Sequence, residues 1–176
     1  MKMKKIVSAV LAGLMTASLA LSFTSCSSSK KPEGTIGIGA IGPTTGDAAI
    51  YGVAVKNGVE IAVEEINALG GLQFSLNFQD DVHDAEKSVN AYNTLKDWGM
   101  QVLVGSVTTT PCLAVASEAN TDHIFELTPS ASSTDVLGGF ADASGSVTIA
   151  RRDNVFQMCF TDPNQGTAAA EYINEQ

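Results

Sequence analysis

From Thr35 onward the chain alternates short apolar runs with helix-length segments whose apolar residues recur every three or four positions. Thr35–Ile41 reads as a first strand, and positions 42–49, dense in Gly, Pro, Thr and Asp, read as a loop. Tyr51–Leu69 is predicted helical, with Val55, Val59, Ala62, Val63 and Ile66 on one stripe and Gly70-Gly71 as its stop. Leu72–Phe78 alternates with a period of two. Asp84–Trp98 is predicted as a second helix, capped by Asp84 and bringing Val89, Tyr92, Leu95 and Lys96 within two turns. Gln101–Gly105 is a short buried strand, Pro111–Asn120 a helix with proline in its first turn, and Ile124–Thr128 a fourth strand. The order β-α-β-α-β-α-β calls for a doubly wound α/β fold, a parallel sheet covered on both faces by right-handed crossovers.

In such sheets ligands bind at the loops beyond the carboxyl ends of the strands. Those loops are 42–51, 80–84, 105–111 and 128–133. Past Ser133 the pattern weakens. Gly138–Ser146 is expected as an exposed excursion, Asn154–Phe160 as another strand, and Thr161–Gly166 as a turn into a helix beginning near Thr167. That helix reaches Gln176 with nothing after it to pack against, so the sequence reads as a fragment.

The beginning of the chain has a different character. Three lysines within Met1–Lys5 precede Ile6–Phe23, which carries no charge. This is the layout of an export signal, although about 18 apolar residues could also just span a bilayer. The ending favours export: Phe23-Thr24-Ser25-Cys26, then a serine- and lysine-rich stretch to Gly34, resembles a bacterial lipobox, with Phe23 departing from its usual leucine. The resemblance implies a diacylglyceryl group on the Cys26 thiol and a flexible tether above a membrane. The expected organisation is therefore 1–25 signal peptide, 26–34 lipidated cysteine and tether, 35–160 ligand-binding lobe, and 161–176 the start of a crossover.

Charge and motif counts remove several classes of function. Ten basic against 19 acidic side chains give −9, and loss of Lys2, Lys4 and Lys5 with the leader leaves 7 against 19, or −12. Such a surface repels phosphate backbones, so no nucleic acid is expected as partner. Lys30-Lys31 and Arg151-Arg152 read as linker and turn. Gly37-Ile-Gly-Ala-Ile-Gly42 matches GxGxxG, but its first two glycines fall within the strand and a loop separates the third from the helix, so no nucleotide is expected. Asp80, Asp81, His83 and Asp84 read as a helix cap and a solvated turn ahead of a metal site. Cys112 and Cys159 lie in apolar stretches without a CxxC partner and are expected as buried free thiols, a disulfide between them not being arguable from spacing. No catalytic pair can be assembled, Ser130 and Ser132 lack the GxSxG elbow, and no cofactor is implied.

Two hydroxyl-rich loops remain, Gly105-Ser-Val-Thr108-Thr109-Thr110-Pro111 and Thr128-Pro129-Ser130-Ala131-Ser132-Ser133. Hydroxyls and open backbone N–H groups at a helix start suit a carboxylate without a cationic side chain. Ordinary capping by serine and threonine is the plainer explanation of either loop alone, and two of them on neighbouring strands favour binding.

Together with Gly42-Pro43, Gly46, Tyr51-Gly52, Gly58, Ile66-Asn67-Ala68-x-Gly70-Gly71, Asp80-Asp81, Gly105, Thr128-Pro129 and Asp162-Pro-Asn-Gln165-Gly166, these loops make the chain resemble the branched-chain amino acid-binding family of type I periplasmic binding proteins. The similarity covers about Thr35 to Ile173. It implies the first of two lobes that close on a ligand, the second lobe being largely absent, and an amino acid delivered to an ABC permease in the membrane. A ligand-sensing domain of the same fold in a receptor is the alternative. By the resemblance, Thr109 with Thr108 holds the ligand carboxylate, the Ser130 carbonyl and the Ser132 hydroxyl meet the α-ammonium, Tyr51 borders the side-chain pocket, and Asp162 stands where the second lobe begins. Two departures accompany it: Val82 and Thr108 occupy positions where the family has a disulfide, and Gly138–Arg152 exceeds the usual connection.

Overall fold

A computed structural model describes residues 30–175. The leader, the lipobox and Cys26 lie outside the described residues. Five strands form one parallel sheet in the order β2-β1-β3-β4-β5: β1 Thr35–Gly42, β2 Gln73–Asp80, β3 Val102–Val104, β4 Phe125–Thr128 and β5 Val155–Gln157. The helices are α1 Ala49–Ala68, α2 Ala85–Trp98, α3 Thr109–Asp122 and α4 Asp162–Glu175. The alternation expected from the sequence is present, and α1 starts two residues before Tyr51.

Alternation along each strand divides the core. Ile41 and Leu103 point to the face covered by α2 and α3, where they pack with Tyr92, Leu95, Trp98, Met100 and Val115. Each such side chain contributes about 1.5–3 kcal/mol when fully buried. Two glycines of the GxGxxG stretch serve this face. A Cβ on Gly39 would stand 2.7 Å from the Met100 sulfur, and one on Gly37 would stand 2.7 Å from the Gly99 carbonyl, so both allow α2 and its exit to lie close on β1. The opposite face carries Ile38, Val104 and Leu127, and α1 meets it with Val55, Val59, Ala62, Val63 and Ile66. That stripe is only partly covered, leaving an apolar groove of about 420 Å³ between helix and sheet. Beside it Phe125 and Phe156 stack at 5.1 Å, both more than 40% exposed.

Helix ends follow local chemistry. Asp84 caps α2, its carboxylate accepting the Lys87 N–H at 2.8 Å, and Gly99 closes that helix at φ 103. Gly70, at φ 78, follows α1 as the doublet predicts. Replacing Asp84 by alanine is expected to cost about 1 kcal/mol in chemical denaturation. An unchanged midpoint would mean that the β2–α2 turn is held without the cap.

Four expectations need correction. α4 begins at Asp162, five residues before Thr167: the Thr161 carbonyl accepts the Gln165 N–H at 3.0 Å, so Asp-Pro forms the first helical turn where proline has no N–H to lose. β5 spans Val155–Gln157 only, because Met158, Cys159 and Phe160 run past the end of β4. Arg152, expected as a turn residue, is buried, its Nη1 donating to the carbonyls of Asp135 and Val136 at 2.7 and 2.8 Å, and so anchors the long β4–β5 connection. Both thiols are free, but only Cys112 is buried; Cys159, two residues past β5, is half-buried.

Candidate functional site

The carboxyl ends of β1, β2, β3 and β4 lie on one edge of the sheet, and the loops that leave them form the candidate site. Tyr51, Val107, Thr108, Thr109 and Ser130 line a cleft of about 270 Å³. Four of the predicted residues, Tyr51, Thr108, Thr109 and Ser130, are thus brought together. Ser132 and Asp162 are not among its lining residues; they meet each other, the Asp162 N–H donating to the Ser132 carbonyl at 3.0 Å.

Chain chemistry fixes each wall. Thr108 is the N-cap of α3 by backbone geometry, but its hydroxyl makes no capping bond to the helix. It bonds instead to His83 Nδ1 at 2.8 Å. The first N–H groups of α3 therefore receive nothing from the cap, and a helix start in that condition attracts an anion. Ser130 donates its hydroxyl to the Val107 carbonyl at 2.6 Å, which ties the second hydroxyl loop to the first and leaves the Ser130 carbonyl as its polar offering. Thr128 completes the tie: its hydroxyl donates to the Ser106 carbonyl at 2.7 Å and accepts the Ala131 N–H at 3.1 Å.

A second cleft of about 540 Å³ adjoins the first across Tyr51, lined by Gly46, Asp47, Ala48, Tyr51, Val82 and His83. The turn that carries Val82 and His83 is organised by two consecutive carboxylates with opposite titration. Asp80 is lowered to about 2: partial burial opposes ionisation, but the Thr45 hydroxyl at 2.6 Å and the Thr44 and Val82 N–H groups at 2.9 Å outweigh it. Asp81 is raised, because its burial and the neighbouring Asp80 charge prevail over hydrogen bonds from the His83 N–H and the Ser106 hydroxyl. The sequence reading placed Asp81 in a solvated turn; it is fully buried, since it has to meet Ser106, which in turn bonds Ser88 at 2.9 Å. Asp84 alone of that cluster acts as the cap. Among the described residues no three His, Cys, Asp or Glu side chains converge on a point that could hold a metal.

His83, Val82 and Asp47 escaped the sequence reading as site residues. His83 and Thr108 are 25 positions apart on different crossovers, and no periodicity links them.

The chain is 33% identical over 141 residues to a Leu/Ile/Val-binding protein homolog of Brucella melitensis, and equally to the Leu/Ile/Val-binding protein BraC3 of Rhizobium johnstonii. Each match covers 78% of this chain and 35% of the relative, so the chain spans about a third of the length of these curated relatives. Among solved structures, the leucine binding protein LivK of Thermotoga maritima superposes with a TM-score of 0.66 at 28% identity, covering 77% of this chain and 36% of that one. The branched-chain amino acid transporter substrate binding protein LivJ of Streptococcus pneumoniae, solved with isoleucine, superposes with a TM-score of 0.62 at 26% identity, covering 73% and 34%. The sequence profile of the family described as periplasmic binding protein matches residues 35–176. That match runs from the first strand into the last helix, across every residue that lines the two clefts, and on this ground the chain belongs to the periplasmic binding protein family.

Proposed function

We propose that the chain supplies the amino-acid-recognising lobe of an extracytoplasmic solute-binding lipoprotein that feeds an ABC importer, and that it carries out no catalysis. The observation that carries this reading is the convergence of Thr108, Thr109 and Ser130 around an uncapped helix start at the carboxyl edge of a parallel sheet. A ligand carboxylate sits against the α3 N-terminus and the Thr109 hydroxyl, without a counter-charge from lysine or arginine. The α-ammonium is met by the Ser130 carbonyl and, on closure of a second lobe, by the Ser132 hydroxyl, with Asp162 where that lobe would begin. The relatives named for leucine, isoleucine and valine support an amino acid as ligand. Cys26 carries the lipid that holds the protein at a membrane, and a permease there receives the ligand.

The test is a titration of the isotopically labelled chain with α-amino acids and with their carboxamides, read from backbone amide shifts. Amino acids are expected to shift Thr109 and Ser130, and the carboxamides to bind at least about tenfold more weakly. Thr109→Val is expected to weaken amino acids by a similar factor. Equal binding of acid and amide, or shifts produced by sugars or nucleotides alone, would overturn the reading.

A further inference from the structure

The two adjoining clefts differ in chemistry, and the difference bears on which ligand side chain the lobe selects. The first offers hydroxyls and a helix start. The second offers Asp47, His83 and the Tyr51 ring, with only Val82 and Ala48 as aliphatic wall. The His83–Thr108 hydrogen bond spans the boundary between them.

His83 is held firmly. Its N–H donates to Asp81 Oδ1 and that of Val82 to Asp80 Oδ1, both at 2.9 Å. Val82 and His83 sit in the left-handed region at φ 51 and 59, a conformation that is uncommon for any side chain but glycine and a clear outlier for a β-branched one. Strain of this kind persists where the surroundings over-determine it. Here Asp80 and Asp81 do so, and the result is an imidazole fixed at the mouth of the site.

We propose that the ligand's side chain lies in this second cleft and that His83 and Asp47 select one ending in N–H donors, of the amide, ammonium or guanidinium type. The proposal rests on the reading of Thr108, Thr109 and Ser130 as the carboxylate and ammonium site. With the carboxylate at the α3 N-terminus, the side chain extends past Tyr51, the one residue common to both clefts. Where the Thr108 hydroxyl gives its hydrogen to the ligand carboxylate, His83 Nδ1 has to be the donor to Thr108 Oγ1, and in the neutral imidazole Nε2 is then an acceptor. Nε2 and the Asp47 carboxylate then both call for donors. An aliphatic side chain in the same place strips water from these two groups and returns no hydrogen bond. The chain's net charge of −9 adds a field that favours a cation.

Two matched pairs of ligands decide it: lysine against norleucine, which has the same length without the ammonium, and glutamine against leucine. All four are expected to shift the Thr109 and Ser130 amides and those of Asp47, Val82 and His83, so that the affinities and not the shifts separate them. The affinities of lysine and glutamine are expected to exceed those of their counterparts by about tenfold. His83→Gly, which suits the left-handed backbone while removing the imidazole, and Asp47→Ala, outside that strained pair, are each expected to reduce the ratio towards one. Norleucine and leucine binding as tightly as lysine and glutamine, or ratios untouched by both variants, would overturn the side-chain proposal and leave the carboxylate site standing. Absence of shifts at Thr109 with all four ligands would overturn both.

Discussion

Glu126→Gln is expected to leave the stability of the lobe nearly unchanged at pH 4 and to raise it by about 5 kcal/mol well above pH 8. Glu126 is fully buried on the α3 side of β4. Burial pushes its carboxyl from 4.5 to about 8, against a smaller opposing effect of the Cys112 thiol, which donates to Oε1 at 3.4 Å, and of the Arg152 charge. The sign follows from proton counting. Below pH 4.5 both folded and unfolded chains hold the proton. Between 4.5 and about 8 the folded chain keeps it and the unfolded chain has lost it, so stability falls with rising pH by about 1.4 kcal/mol per unit. Above about 8 both are ionised and the loss is complete. Glutamine retains an acceptor for Cys112 and places an N–H where Glu126 Oε2 has no hydrogen-bond partner. It has no proton to lose, so its profile lacks this fall. Denaturant titrations of both proteins at pH 4, 6 and 9 measure the difference, and parallel profiles would show that Glu126 is not held neutral.

Gly52→Ala and Gly58→Ala, two substitutions in one helix, are expected to act in opposite directions. Helix propensity alone favours alanine at each by about 1 kcal/mol. At Gly58 a Cβ meets nothing within 4 Å, and the gain is realised. At Gly52 the same atom would stand 1.9 Å from the Pro43 carbonyl oxygen and 2.5 Å from its carbon. Both partners are backbone and cannot rotate away, so α1 or the loop 43–48 has to move. Overpacking of this kind costs typically 1–3 kcal/mol and occasionally more, which outweighs propensity. The loop carries Asp47 and α1 carries Tyr51, so whichever moves, Gly52→Ala is also expected to weaken amino acid binding. Thermal unfolding separates the two variants, and equal stabilisation by both would mean that the loop yields freely.

The sequence was most legible where local rules and tertiary packing agree. The α2 cap at Asp84, the Gly70-Gly71 stop and the four short apolar runs each carry their own signal within a few residues. Asp162-Pro163 misled because the pair suits a turn as well as a first helical turn, and only the Thr161 carbonyl accepting from Gln165 decides between them. Arg152 read as a turn residue and Asp81 as part of a solvated turn, because nothing near either in sequence shows what it will meet. Their burial depends on carbonyls at Asp135 and Val136 and on a hydroxyl at Ser106, brought in by chain remote from them. In the site, Thr108, Thr109 and Ser130 were readable as hydroxyls at strand ends. The His83–Thr108 contact was not, since it arises from two crossovers landing side by side.

The strand order carries a consequence for how the lobe is made. β1 is the first element of the sheet to be synthesised, yet it lies inside it, and its partners begin only at Gln73 and Val102. At translation rates of about 5–20 residues per second, β1 waits several seconds for β3. An apolar strand left waiting invites wrong pairing, and segments poor in glycine are the ones that zip together most readily. β1 is not such a segment: Gly37 and Gly39 interrupt its three isoleucines. The glycines that seat α2 against the finished sheet also leave the nascent strand a poor template for other chains.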